Sequence, residues 1–141
     1  MYLVINRKRQ MNLQLYNLFK SNFNDNKEFP PDYQYSMILQ FDYWFSMCDD
    51  ADNIVASCSV VAETDNIYEI NDVFVNEKFR GNNYSVLLIM NILHYFEEHF
   101  QNVKIKIVAY LDTPAYYCYL KIFDKPYRCD DKFAYFSHII T

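Results

Sequence analysis

The stretch Val75-Asn76-Glu77-Lys78-Phe79-Arg80-Gly81-Asn82-Asn83-Tyr84-Ser85 passes from a strand pattern straight into a helix through a basic, turn-forming loop. A helix start leaves roughly four backbone N–H groups without an intrahelical partner, and the macrodipole places about +0.5 charge there. A strand, a turn and a helix in this order therefore aim donors at an anion. Gly81 is the single glycine of the chain, and it lies in this loop, where glycine takes a positive φ freely. Read as an ordinary turn, the same residues need no ligand, because turn formers gather at most such junctions.

Around this junction, residues 67–75 read as a central strand, with Ile67, Val73 and Val75 alternating with Tyr68, Ile70 and Phe74. By that alternation Glu69 shares the face of Val73 and Val75, and Asp72 points to the other. Residues 83–99 form a helix apolar almost all round, leaving Asn91, His94 and Glu98 as a narrow polar stripe, so near-complete burial across a sheet is expected. Residues 103–111 are a further strand, with Ile105, Ile107 and Ala109 on one side and Lys104, Lys106, Val108 and Tyr110 on the other. Asp112 or Thr113 then caps a short helix with Pro114 in its first turn, ended by Phe123-Asp124-Lys125-Pro126. Short strands at 127–129 and 133–139 follow.

Upstream, residues 2–5 read as a first strand and Asn6-Arg7-Lys8-Arg9 as a solvated basic turn. A helical pattern covers 11–23, Pro30-Pro31 breaks the chain, and a short helical or irregular piece spans 35–40. Residues 43–48 and 54–62 make a hairpin about Asp49-Asp50-Ala51-Asp52-Asn53, and Thr64-Asp65-Asn66 turns into the central strand. The order β-α-(α)-β-β-β-α-β-α-β-β is expected to form one domain over residues 1–141.

At 141 residues and 52% apolar composition the chain can bury a sizeable core. Fourteen Tyr and twelve Phe against one Gly is the bias of an AT-rich coding sequence, as in a virus or an AT-rich microbe. The net charge of −5 argues against sequence-independent nucleic-acid binding and suits a cationic substrate. Cys48, Cys58, Cys118 and Cys129 are widely spaced and form no C-x-x-C pair, the pattern of buried, reduced thiols in a cytoplasmic protein. No apolar run approaches about 18 residues, so a soluble chain with no membrane partner is expected. His94 and His99 do not share a helix face and His138 has no evident partner, so no metal is expected.

The junction resembles the coenzyme A loop of the GNAT acetyltransferase superfamily, whose pattern is Val-x-Pro-x-(Tyr/Phe)-(Arg/Gln)-(Arg/Gly)-x-Gly-(Ile/Val/Tyr)-(Gly/Ala). Val75, Phe79, Arg80, Gly81 and Tyr84 match it; Glu77 stands for Pro, Asn83 for the second Gly and Ser85 for the last small residue. Asn tolerates the left-handed conformation, so the loop can still close, although its side chain crowds the diphosphate position. The element order is that of the family along essentially the full length. The resemblance implies an acyl-CoA N-acyltransferase fold of the α/β (α+β) class, a mixed sheet of about six or seven strands flanked by about four helices. It implies acetyl-CoA as cofactor, with the strands at 67–75 and 103–111 splayed apart to admit the pantetheine arm. The backbone of Val73, Phe74 and Val75 would pair with pantetheine, while Gly81, Asn82, Asn83, Tyr84, Ser85 and Val86 donate to the diphosphate. Arg80 and Lys78 would supply positive charge.

Acetyl transfer from a thioester to an amine needs a base, an oxyanion donor and a proton for the thiolate. In the histone-acetyltransferase branch a glutamate matching Glu69 draws the amine proton through water, which makes Glu69 the base candidate and Asp72 the second choice. The stretch from Asp112 to Phe123 resembles the family's Asn-x-x-Ala-x-x-x-Tyr-x-x-x-Gly-Phe motif, with Tyr119 at the tyrosine that protonates the thiolate and Tyr117 as the alternative. Asp112 stands for the asparagine beside the cofactor, and Phe123-Asp124 for Gly-Phe. The implied activity is acetyl transfer to a primary amine such as a protein lysine, an N-terminus or a polyamine. A second reading is an inactive binding or assembly protein of this fold, whose aromatic load serves a homodimer or a protein partner.

Overall fold

The computed structural model describes residues 1–7 and 41–141. Seven strands form one mixed sheet in the order β1-β2-β3-β4-β5-β7-β6. They are β1 (Tyr2–Arg7), β2 (Tyr43–Cys48), β3 (Ile54–Thr64), β4 (Ile67–Val75), β5 (Val103–Tyr110), β6 (Arg128–Cys129) and β7 (Phe133–Ile140). A 3-10 turn, Glu77–Phe79, leads from β4 into α1 (Tyr84–His99), and α2 (Pro114–Phe123) joins β5 to β6. The helix expected at 11–23 and the short helical or irregular piece at 35–40 lie outside the described residues.

Most expected elements are present to within a residue or two at their ends. The basic run is the exception: Asn6 and Arg7 are not a turn but continue β1, paired with Trp44 and Tyr43 of β2. Partner strand is available there, so the ladder takes up their backbone groups. β3 likewise runs on to Thr64, because a register slip after Ala62 lets Thr64 pair with Ile67. The β2–β3 turn closes on Asp49, whose carboxylate accepts from the N–H of Ala51 at 3.0 Å and of Asn53 at 2.9 Å.

The main core fills the space between the sheet and helices α1 and α2. Ala56, Cys58 and Val60 of β3, Tyr68 and Ile70 of β4, and Ile105, Ile107 and Ala109 of β5 meet Leu88, Ile89, Ile92 and Phe96 of α1 and Tyr119 of α2. A smaller cluster of Phe41, Trp44, Cys48, Ile54 and Phe74 lies on the opposite face. Beside it the buried hydroxyls of Ser46 and Ser57 bond each other at 2.9 Å, and Trp44 Nε1 donates to Ser57 Oγ. α1 is less covered than its composition suggests: Leu87 is 41% and Met90 54% exposed. A helix laid on one sheet face buries a single stripe, and here the next positions round the cylinder stay in water.

All neighbouring strands are antiparallel except β4 and β5, which pair in parallel only from Ile67–Lys104 to Ile70–Ile107. Beyond that point β4 stays with β3 through Val75 and β5 stays with β7 through Tyr110. The two strands therefore splay into a wedge, as the family resemblance implies. The cause is local. Ser59 pairs with Asn71 and Ser57 with Phe74, so Cys58 of β3 faces two residues, Asp72 and Val73. This bulge, with Asp72 at φ 57°, sharpens the twist of β4 just where it leaves β5.

Candidate functional site

The bulge overturns the expected placement of Glu69. Tyr68 and Ile70 face the helices before it, and Val73 and Val75 face them after it, because one extra residue reverses the alternation. Glu69 therefore lies on the face opposite Val73 and Val75. The Asp72 carboxylate lies on that same outer face, accepting from Ser59 Oγ at 2.8 Å, and burial raises its pKa.

Glu69 is half-buried and its carboxyl is pushed up to about 7, first by burial, then by the hydrogen bond and charge of Glu63. The Asn71 amide, turned with its nitrogen toward it, donates to Glu69 Oε1 at 3.2 Å. Lys106, opposite Glu69 in the β5 register, is 3.1 Å from Glu63 Oε1. The contribution of Glu63 and Lys106 was not visible in the sequence. Its only trace there was the placement of Lys104 and Lys106 on the polar side of β5.

On the helix face, Tyr119 is 5% exposed, edge-on to Phe136 at a centroid distance of 5.9 Å. Among the described residues its hydroxyl has no hydrogen bond. Burial raises its pKa strongly, followed by the charges of Cys58 and Cys118. The phenol is thus a proton donor near neutral pH, close enough to feel Cys58, the residue that faces the bulge. Tyr117 differs: it is 52% exposed and donates to Asp112 Oδ1 at 3.2 Å, and the Asp112 charge raises its pKa. Asp112 itself sits at φ 60° and does not cap α2. That role belongs to Thr113, whose Oγ1 accepts from the Tyr116 N–H at 3.3 Å and donates to the Tyr110 carbonyl at 2.7 Å.

The loop between β4 and α1 has an open helix start. Asn83 adopts a left-handed conformation, φ 58° and ψ 28°, and makes no side-chain cap, and the first turn carries no acidic residue. Among the described residues no side chain caps that turn, which leaves its N–H groups open to an anion. Gly81 has φ 87°, and a Cβ added there would meet nothing within 4 Å. The backbone angle, not crowding, requires glycine, and the space in front of it is open. Asn82 folds inward, Nδ2 donating to the Phe79 and Arg80 carbonyls at 3.2 and 3.4 Å. Arg80 Nε donates to the Val75 carbonyl at 3.1 Å, which pins the guanidinium to the end of β4. The Tyr84 ring packs edge-on to Phe79, and Ser85 Oγ lies 3.9 Å from Cys118 Sγ, joining the first turn of α1 to α2. An anionic group at this helix start with a thin chain running into the wedge fits these residues.

Elsewhere the expectations need smaller corrections. His138 does have a partner, Glu97 Oε1 at 2.8 Å, and His94 lies 3.0 Å from Glu98, both on the outer side of α1. Cys48 and Cys58 are buried, but Cys118 is half-buried and Cys129 exposed, since β6 is a two-residue edge strand. Among the described residues no group of three or more His, Cys, Asp or Glu is placed to hold a metal, and no helix is long and apolar enough to cross a membrane.

A parallel strand pair splayed at its C-terminal ends, with an uncapped helix start above the opening, defines an acyl-CoA N-acyltransferase fold. The chain belongs to the acetyltransferase (GNAT) family, whose sequence pattern it matches over residues 12–124. Acetyl-CoA is the cofactor of that family. No curated protein sequence matches the chain. Among solved structures it is similar to Escherichia coli ElaA, with 15% identity, a TM-score of 0.71 and 97% of this chain and 98% of that one covered. Tetrahymena GCN5 follows at 12% identity and a TM-score of 0.70, covering 100% and 97%. A GNAT family acetyltransferase from Elizabethkingia anophelis, solved with acetyl-CoA bound, has 12% identity, a TM-score of 0.67 and 98% coverage of both chains.

Proposed function

We propose that the chain, acting as one domain, is an N-acetyltransferase that moves the acetyl group of acetyl-CoA to a cationic primary amine, such as a protein lysine, an N-terminus or a polyamine. The observation that carries this reading is the wedge between β4 and β5, which opens beside the uncapped start of α1; Glu69 on the outer face of the sheet and Tyr119 on the helix face are the base and acid candidates for it.

Acetyl-CoA supplies an activated acyl group as a thioester. The chain's part is to hold and orient it. N–H groups from Gly81 to Val86, with Arg80 and Lys78 beside them, bind the diphosphate. Backbone groups of Val73, Phe74 and Val75, free of β5, would line the wedge for pantetheine, and an N–H among them would be available to the acyl oxygen, where negative charge develops. Glu69 takes a proton from the incoming ammonium through water; a carboxylate poised near neutrality is suited to this. Tyr119 donates its phenolic proton to the departing thiolate. The amine approaches from the Glu69 face, and the acidic balance of the chain draws it in.

Isothermal titration with acetyl-CoA and with CoA at low salt tests the cofactor site, followed by an amine screen for turnover. Micromolar binding is expected. Binding without turnover on any amine would leave the reading of a non-catalytic coenzyme-binding protein, and no binding would remove the site.

A further inference from the structure

Glu63, Glu69 and Lys106 come together on the outer face of the sheet from three neighbouring strands. In the ladder Glu69 lies opposite Lys106, and Glu63 is the extra residue of the register slip between Ala62 and Thr64, its carboxylate held on the outer face by that same lysine. Lys106 Nζ holds both oxygens of Glu63, at 3.1 and 3.2 Å. The Glu63 and Glu69 carboxyl groups are close enough for each to shift the other's pKa. Two neighbouring carboxylates cannot both stay ionised cheaply, so the pair takes up one proton as pH falls through neutrality. The lysine decides where that proton goes: held by a cation, Glu63 stays the anion, and Glu69, ionised above its midpoint, is the carboxylate that accepts it.

We propose that Glu63 and Lys106 complete the base, forming with Glu69 a unit that stores the proton taken from the amine and passes it to solvent. The N–H bond of the ammonium breaks and its electron pair stays on nitrogen. The proton moves through water to a Glu69 oxygen, and the new O–H donates to Glu63. It leaves through Glu63, whose side chain is 36% exposed against 23% for Lys106. Glu63 is a positioning residue, since it touches Glu69 and not the substrate. The shifts agree with this geometry: Glu69 is raised to about 7, whereas Glu63 is held low by its hydrogen bond with Glu69 and then by Lys106. The other groups that reach the cluster, among the described residues, are Asn71 of β4, which donates to Glu69, Lys104 of β5, which acts on Glu63, and Tyr127, which acts on Lys106. Asp72 is occupied by Ser59, and Lys104 Nζ lies over the Tyr127 ring at 4.9 Å. The source of the proton rests on the acetyltransferase reading; the coupling of the three side chains does not.

Titration of the side-chain carboxyl carbons by 13C NMR, on the full chain without acetyl-CoA, tests the coupling alone. Glu69 should titrate near pH 7, with the Glu63 signal moving in the same step. In Glu63→Gln the Glu69 midpoint should fall by at least about one pH unit, because the neighbouring anion is gone. In Lys106→Met it should rise by at least about half a pH unit, because the compensating cation is gone. A Glu69 midpoint unmoved in either variant overturns the proposal. With an active enzyme, Glu63→Gln should also carry the acidic limb of kcat to lower pH while KM stays unchanged. Coupled titration in a chain without turnover would defeat the acetyltransferase reading and leave the coupling standing.

Discussion

Ser59 of β3 donates its hydroxyl to the Asp72 carboxylate of β4 at 2.8 Å, and Asp72 sits at φ 57° in the middle of a strand. The bond holds the bulge that both opens the wedge and puts Glu69 and Val73 on different faces. A β-branched residue cannot take this φ without strain, and it would also remove the bond from Ser59, leaving that hydroxyl only the longer 3.3 Å contact to the Asn71 carbonyl. Asp72→Val should therefore cost about 2–3 kcal/mol in urea unfolding, and Asp72→Asn, which tolerates the same φ and still accepts, less than about 1. Equal stability of the two variants would show that the bulge does not depend on this residue.

Asn83 carries the left-handed position that the family pattern gives to glycine. The chain solves the same problem repeatedly: Asp52, Asp72, Asn83, Asn102, Asp112 and Asp124 are its non-glycine residues at positive φ among those described. Asp and Asn tolerate such angles better than other side chains, so loss of glycine at 83 does not close the loop. Asn83→Gly should keep or tighten coenzyme binding, whereas Asn83→Val should weaken it at least tenfold and lower stability by about 1–2 kcal/mol. Isothermal titration of both variants checks this; a Val variant that binds like the parent would place the diphosphate elsewhere.

The junction at Val75–Ser85 and the element order were legible because they are local: period-two and helical patterns, one glycine and a proline-led helix each declare themselves within a few residues. The face of Glu69 was not. Alternation holds only in a strand without a bulge, and what sets this bulge is a contact between Ser59 and Asp72, thirteen positions apart in sequence. Glu63 was hidden for the same reason, since its meaning comes from Glu69 and Lys106 on two other strands. Thr113 against Asp112 as the cap was open because both residues are good N-caps, and only the helix's actual start decides between them.

Tyr119 is where burial and chemistry point the same way. The buried phenol keeps its proton, and its hydroxyl is not committed to another described residue. Tyr119→Phe should lower turnover at least about tenfold with coenzyme affinity nearly unchanged, the signature of a lost proton donor. Stability should move by less than about 1 kcal/mol, because the ring packing against Phe136 is retained. Tyr117→Phe, which removes an exposed bond to Asp112, is the control and should leave turnover within about twofold. Similar losses in both variants would take Tyr119 out of the acid role.

Glu69 ties function to stability through its proton. Its folded value near 7 lies above the ordinary range, so between about pH 4.3 and that value the folded chain keeps a proton that the unfolded chain has released. The stabilising contribution is present below the unfolded value and is lost as pH rises through the folded one. The group is only half-buried, and water screens part of the effect, which leaves on the order of 1–2 kcal/mol. Glu69→Gln cannot titrate and its amide can still donate to Glu63. The variant should therefore unfold at higher urea than the parent at about pH 8, with the difference shrinking toward about pH 5. Its pH-rate profile should shift upward and lose the acidic limb. Glu63, held low, contributes in the opposite sense at lower pH and remains in the variant, so the shrinking difference isolates Glu69. A parent and variant whose stabilities run parallel from about pH 5 to 8 would mean that Glu69 ionises normally and cannot be the tuned base.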